Sequence, residues 1–151
     1  MSDSNKKLHD KVEDTESLAR FLDQGSKFSN NRVKHHAFHP PKGTSTTSVF
    51  RSDNCSNKFL IEIGTNLKFE IKAIASLLVK DVRSIYSSTL SVVSDAKGDQ
   101  HPRHAHIVFP IKNNSNENFT KIKDICMEIA KCASLIKNSN GEILSKNTSF
   151  E

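Results

Sequence analysis

Imidazole is the side chain best suited to exchange a proton near neutrality, and six of the seven histidines in this 151-residue chain fall in two windows without an acidic residue. The first window runs from Gln24 to Ser52 and holds Lys27, Arg32, Lys34, His35, His36, His39, Lys42 and Arg51. The second runs from Gln100 to Asn116 and holds His101, Arg103, His104, His106 and Lys112. Brought together by folding, they would form one basic, imidazole-lined surface suited to a phosphate ester. The sharpest spacing is His104-Ala-His106. On a strand, side chains two apart share a face, which sets these imidazoles roughly 7 Å from one another. Such a pair can act as general acid and base, which makes His104 and His106 the candidate catalytic residues. The same pair can supply two ligands to a divalent ion.

A metal site needs further donors, and no carboxylate pair, Cys-x-x-Cys or His-Glu-x-x-His accompanies the histidines. A zinc ion would have to take His104 and His106 with one of His35, His36 or His39. The expectation is therefore no metal and no cofactor. Anion binding falls to Arg32, Lys34, His36, Lys42, Arg51 and Arg103, the guanidinium groups being able to hold a phosphate in bidentate fashion. The plainer reading of the first window is an edge strand kept soluble by its charge. Arg51 can clamp an anion or simply pair with Asp53. Lys42-Gly43-Thr44-Ser45 lacks the upstream glycine and following helix of a phosphate-binding loop and reads as a turn. Cys126 and Cys132 read as helix-packing residues, and none of the three cysteines sits in an evident electropositive cradle that would make it a nucleophile.

The elements that must position these residues show in the hydropathy pattern. Leu18, Phe21 and Leu22 between Asp14 and Gly25 predict a short amphipathic helix over 15–24. Val33 to Phe38 and Thr46 to Arg51 predict a hairpin broken by Pro40, Pro41 and Gly43. Ser56 caps a predicted helix that Gly64 ends. Ile71, Ile74, Ala75, Leu78, Val82 and Ile85 recur at helical spacing, with Phe69 to Ile71 open to a strand reading. Thr89 to Val93 and His104 to Ile111 read as strands. Phe119, Ile122, Ile125, Cys126, Ile129, Ala133 and Ile136 form the clearest helical stripe, and Asn140-Gly141 marks a turn. The order predicts an α+β domain with a small antiparallel or mixed sheet of about four strands covered by helices.

Bulk composition agrees with one small domain. Hydrophobic residues make up 35% of the chain and mean hydropathy is −0.52, which predicts a modest core with polar, flexible ends over 1–13 and 138–151 and a domain over 14–137. No apolar run is long enough to cross a bilayer, so no membrane partner is expected. Three scattered cysteines predict reduced thiols in a cytosol rather than a disulfide framework. The net charge of +5 suits nucleic acid or another polyanion as partner, a protein partner being the alternative.

Ala37-Phe38-x-Pro40-Pro41, Thr47-Ser-Val-Phe-Arg51 and His104-Ala105-x-Ile107 together resemble segments of a group of small uncharacterised bacterial proteins, over about Phe21 to Phe109. The resemblance implies no activity; it directs attention to Arg51 and His104 and, by association with mobile or defence-related elements, to a role beside nucleic-acid machinery. His104-Ala-His-Ile107 also resembles one half of the motif of 2H-type phosphoesterases, with His where the hydroxyl residue belongs and no second copy. The expected function is a basic binding protein for nucleic acid or another phosphate-bearing polyanion. A metal-independent histidine phosphodiesterase or RNase and a non-catalytic interaction module are the alternatives.

Overall fold

A computed structural model of the chain describes residues 11–23, 25–29, 32–85, 89–95, 101–139 and 142–148. Its centre is a fully antiparallel sheet of seven strands: β1 (Ser17–Leu22), β4 (Thr46–Arg51), β5 (Ala73–Leu78), β6 (Ser91–Ser94), β7 (His104–Val108), β8 (Ser134–Ser139) and β9 (Glu142–Thr148), in the order β6-β7-β4-β1-β5-β8-β9. A separate two-stranded ribbon joins β2 (Phe28–Ser29) to β3 (Arg32–Val33) and leads into a 3-10 turn at His35–Phe38. Three helices complete the domain: α1 (Asn57–Asn66), α2 (Val79–Arg83) and α3 (Asn116–Cys132). The class is α+β as expected, but the sheet has seven strands rather than about four.

Several expected elements change type. The stretch 15–24, expected as a helix, is β1. As a central strand it is apolar on both faces, so Leu18 and Leu22 join one core while Ala19 and Phe21 join the other. Two-sided burial erases the alternation that marks a half-exposed strand. The same holds for β5, where the helical spacing of Ile71 to Ile85 dissolves into a strand followed by the short α2. The expected hairpin does not form: its first strand is cut to Arg32–Val33 and pairs with β2, while β4 pairs with β1 and β7. Ser56 does cap α1, accepting from the Phe59 amide at 3.0 Å, but Gly64 lies inside the helix, where a β-carbon would collide with Ile71 and crowd Phe21. The stripe expected as one helix through Ile136 stops at Cys132, and β8 and β9, the latter inside the expected polar tail over 138–151, extend the sheet. Met1 to Asp10 and the Asn140-Gly141 turn lie outside the described residues.

The sheet has two unequal faces. On one, Leu18, Val49, Ala75, Leu77, Ala105, Ile107 and Leu135 meet the stripe of α3 formed by Ile122, Ile125, Cys126 and Ile129. On the other, α1 lays Leu60 and Ile63 over Ala19, Phe21, Phe50, Ile74 and Ile136. The β6-β7-β4 end of this second face is open: Val93 is 43% exposed and Ser48 and His106 are half-buried.

One polar cluster is sealed inside. The Arg51 guanidinium donates through Nε to Glu16 Oε1 at 2.8 Å and through NH2 to Glu16 Oε2 at 2.7 Å. Arg103 NH1 donates to the Arg51 and Asp53 carbonyls at 2.9 and 3.0 Å. Burial alone would raise the Glu16 carboxyl, but hydrogen bonds from Arg51 and the Glu13 amide, with the charges of Arg51 and Arg103, hold it below its ordinary 4.5. A carboxylate so shifted stabilises the fold above that value and ceases to do so as pH falls beneath it. Glu16→Gln therefore lowers unfolding free energy by about 3–5 kcal/mol in urea titration at neutral pH, because it strands a buried guanidinium. The gap between variant and wild type closes as pH drops below 4.5, and Glu16→Leu combined with Arg51→Met loses less than Glu16→Gln alone.

Candidate functional site

Folding pairs the two windows through their backbones, β4 with β7, but it does not bring their histidines together. They lie against opposite faces of the sheet and form two separate sites.

The first site surrounds the 3-10 turn. Ala37 and Phe38 are buried in the core shared with α3, which leaves His35, His36 and His39 gathered beside that helix. Arg20 on β1 fixes the turn, donating from Nε to the Ala37 carbonyl and from NH1 to the Ser48 carbonyl, both at 2.9 Å. Thr47 Oγ1 donates to the Phe38 carbonyl at 2.6 Å. Pro41-Lys42-Gly43-Thr44 closes a tight turn through the Thr44 amide and the Pro41 carbonyl, 3.0 Å apart. Gly43 supplies the left-handed conformation with φ +86°. His35 Nδ1 and His39 Nε2 share a hydrogen bond at 2.9 Å, the His35 and His36 rings lie 4.1 Å apart, and His39 packs on Phe119 of α3.

Beside this turn is a cleft of about 310 Å³ between Arg32–His36 and the C-terminal half of α3. Buried Val33 and Ala130, with the partly exposed Met127, form its apolar floor. Arg32, Lys34, His35, His36 and Lys131 line the rest, and no carboxylate is among the lining residues. Lys131 pairs with Glu128 at 3.2 Å, whereas neither Arg32 nor Lys34 forms an ion pair among the described residues.

The second site lies on the open end of the other face. The pleat of β7 turns Ala105 and Ile107 into the α3 core and His104 and His106 outward. His104 stacks near Phe50, ring centroids 5.4 Å apart, and His106 meets His104 edge-on at 4.7 Å. Asp95 joins them from the end of β6, its amide donating to the His104 carbonyl at 2.8 Å. Its Oδ2 accepts from His104 Nδ1 at 2.9 Å and from His106 Nε2 at 3.2 Å. Burial outweighs the carboxylate and keeps His104 below its ordinary 6.5. Asp95 is absent from the candidates the sequence offers; the signal for its role is its place across the β6-β7 hairpin, where it opposes His104.

Of the six candidate anion ligands, Arg32, Lys34 and His36 share the cleft. Lys42 sits on the separate exposed turn at Pro41–Thr44 and does not line it. Arg51 and Arg103, 1% and 2% exposed, are turned to Glu16 and to backbone carbonyls inside the fold. The expected pairing of Arg51 with Asp53 is replaced by Glu16, while Asp53 Oδ1 accepts from the Ser17 amide at 2.8 Å. The three-histidine zinc set is likewise not formed, since His35, His36 and His39 are across the sheet from His104. Most of the apolar stripe of α3 is spent on the domain's own core, although Phe119 is 40% exposed. Cys126 is buried there, and burial pushes its thiol up and away from thiolate chemistry.

No family model matches the chain, and neither the curated proteins nor the solved structures contain a significant match to it. Among the described residues no helix is long and apolar enough to cross a membrane.

The histidine turn carries its own pH signature. Burial, then the neighbouring charges of His35, His36 and Lys123, pushes His39 down to about 4. An unfolded imidazole takes up its proton near 6.5, so acid favours the unfolded chain over the interval between the two values. Unfolding free energy measured at fixed pH is expected to fall between pH 6.5 and about 4, and His39→Phe should flatten that part of the profile.

Proposed function

We propose that the protein binds a phosphate-bearing polyanion, with single-stranded nucleic acid as the best-fitting class, in the cleft between Arg32–His36 and α3. The observation that carries this reading is the lining itself: an apolar floor of Val33, Met127 and Ala130 beside Arg32, Lys34, His36 and Lys131, with no carboxylate among them. An apolar surface accepts the face of a base, and flanking cations follow the phosphates, the division of labour that single-strand binding uses. The volume admits about one nucleotide unit at a time, near the lower end of ligand pockets. The overall charge of +5 adds attraction at a distance.

A metal-independent phosphodiesterase built on His104 and His106 is the second reading, favoured by the two imidazoles sharing one carboxylate oxygen. It is the weaker, because the guanidinium groups it would use for transition-state charge, Arg51 and Arg103, are engaged inside the fold.

Titration of a labelled single-stranded oligonucleotide by fluorescence anisotropy tests the binding reading. Affinity should fall with salt at a log-log slope of about −0.7 for each phosphate contacted. Arg32→Ala with Lys34→Ala should weaken binding about tenfold or more and flatten the slope by roughly 1 to 1.5. Lys42→Ala, which changes net charge but not the cleft, should leave both nearly unaltered. Equal weakening by Lys42→Ala would reduce the effect to general charge attraction and remove the cleft from it.

A further inference from the structure

The face of the sheet away from the cleft offers a different chemistry. We propose that Asp95, His104 and His106 bind one divalent transition-metal ion of the zinc or cobalt kind. One donor atom from each residue lies within 4.8 Å of the other two. Asp95 Oδ2 is 2.9 Å from His104 Nδ1 and 3.2 Å from His106 Nε2. A tetrahedral ion about 2.0–2.2 Å from each ligand holds its donors about 3.3 Å apart. Both carboxylate-to-imidazole distances already approach that separation, so closing the set asks only for side-chain rotation, chiefly of the half-buried His106.

The backbone fixes the three residues before any ion arrives. Val93 opposes His106 and Ser94 opposes Ala105 in the β6-β7 ladder, and the bond from the Asp95 amide to the His104 carbonyl extends that register by one step. Donors carried on paired strands are held more closely than donors on loops. Two imidazoles and a carboxylate match the three-ligand zinc sites that keep a position open, and the facial triads of other first-row ions. The set is poor for calcium or magnesium, which prefer oxygen donors throughout.

As a purely structural contact the arrangement is a poor one. Both imidazoles spend a hydrogen bond on a single carboxylate oxygen. The site also opens outward. Among the described residues no helix covers β6-β7-β4 on this face, and Val93 beside the cluster is exposed. The geometry is that of a site able to hold water or a small ligand on the ion.

The test uses the full chain after chelator treatment, titrated with Zn²⁺ by calorimetry and with Co²⁺ by visible absorption. One ion per chain should bind, with the visible bands of four- or five-coordinate cobalt. Asp95→Asn and His106→Gln should each weaken binding on the order of 100-fold while leaving the metal-free melting temperature near that of wild type, since both side chains are partly exposed. A triple His35→Gln, His36→Gln, His39→Gln variant should bind as wild type does. Absence of a bound ion, binding that survives Asp95→Asn combined with His106→Gln, or loss of binding in the triple variant would each overturn the site. None of these readouts involves nucleic acid, so failure here is distinct from failure of the cleft.

Discussion

A guanidinium removed from water must keep its charge and therefore needs a carboxylate and carbonyls arranged around it. Arg51 finds these in Glu16, at the entrance to β1, and in doing so ties the far end of β4 to the start of β1. The same residue exchanges backbone and side-chain bonds with Arg103: the Arg51 amide donates to the Arg103 carbonyl, and Arg103 NH1 donates back to the Arg51 carbonyl. This knot sets where β7 begins beside β4, and with it the parity of the pleat. Because side chains alternate with period two, a slip by one residue would turn Ala105 and Ile107 out to solvent and drive His104 and His106 into the α3 core. The two arginines that look like anion ligands are thus the residues that aim the histidines.

The parts of the fold that one-dimensional patterning revealed are those with one wet side. β4 and β7 border the open face and keep their alternation, and their bounds follow the Thr-Val-Phe and His-Ile-Val runs closely. α1 announces itself by Ser56 at its start, and α3 by the stripe on one side. β1 and β5 were misread because helices cover both their faces, so Leu18, Phe21 and Leu22 carry no period of two and fall by chance at helical spacing. β8 and β9 were missed for the opposite reason. They extend the sheet to its margin, where polar residues such as Lys137, Asn138 and Ser139 are compatible with a strand and composition alone reads as a tail.

The histidine chemistry was half visible for a related reason. His104-Ala-His106 is a local statement about one strand, and local periodicity suffices to place both rings on one side. That His35, His36 and His39 would curl into a 3-10 turn on α3 depends on Phe38 being drawn into the core and on Arg20 reaching the Ala37 carbonyl. Neither contact has a signature within the window itself. Asp95 belongs to the same class of hidden relations: it lies outside the acid-free windows, and only strand register brings it to the imidazoles. Charge windows along a chain describe surfaces only where the chain stays on one side of its sheet.

The position of β6 at the margin of the sheet gives the Asp95 cluster an uneven anchorage. His104 and His106 ride on β7, held between two neighbours and bolted to the core through Ala105 and Ile107, whereas Asp95 hangs from a four-residue strand with a single partner. Backbone hydrogen bonds at such a margin open in local fluctuations far smaller than global unfolding. Asp95 is therefore the least firmly anchored of the three residues, and fraying of the edge would reach it before either ring.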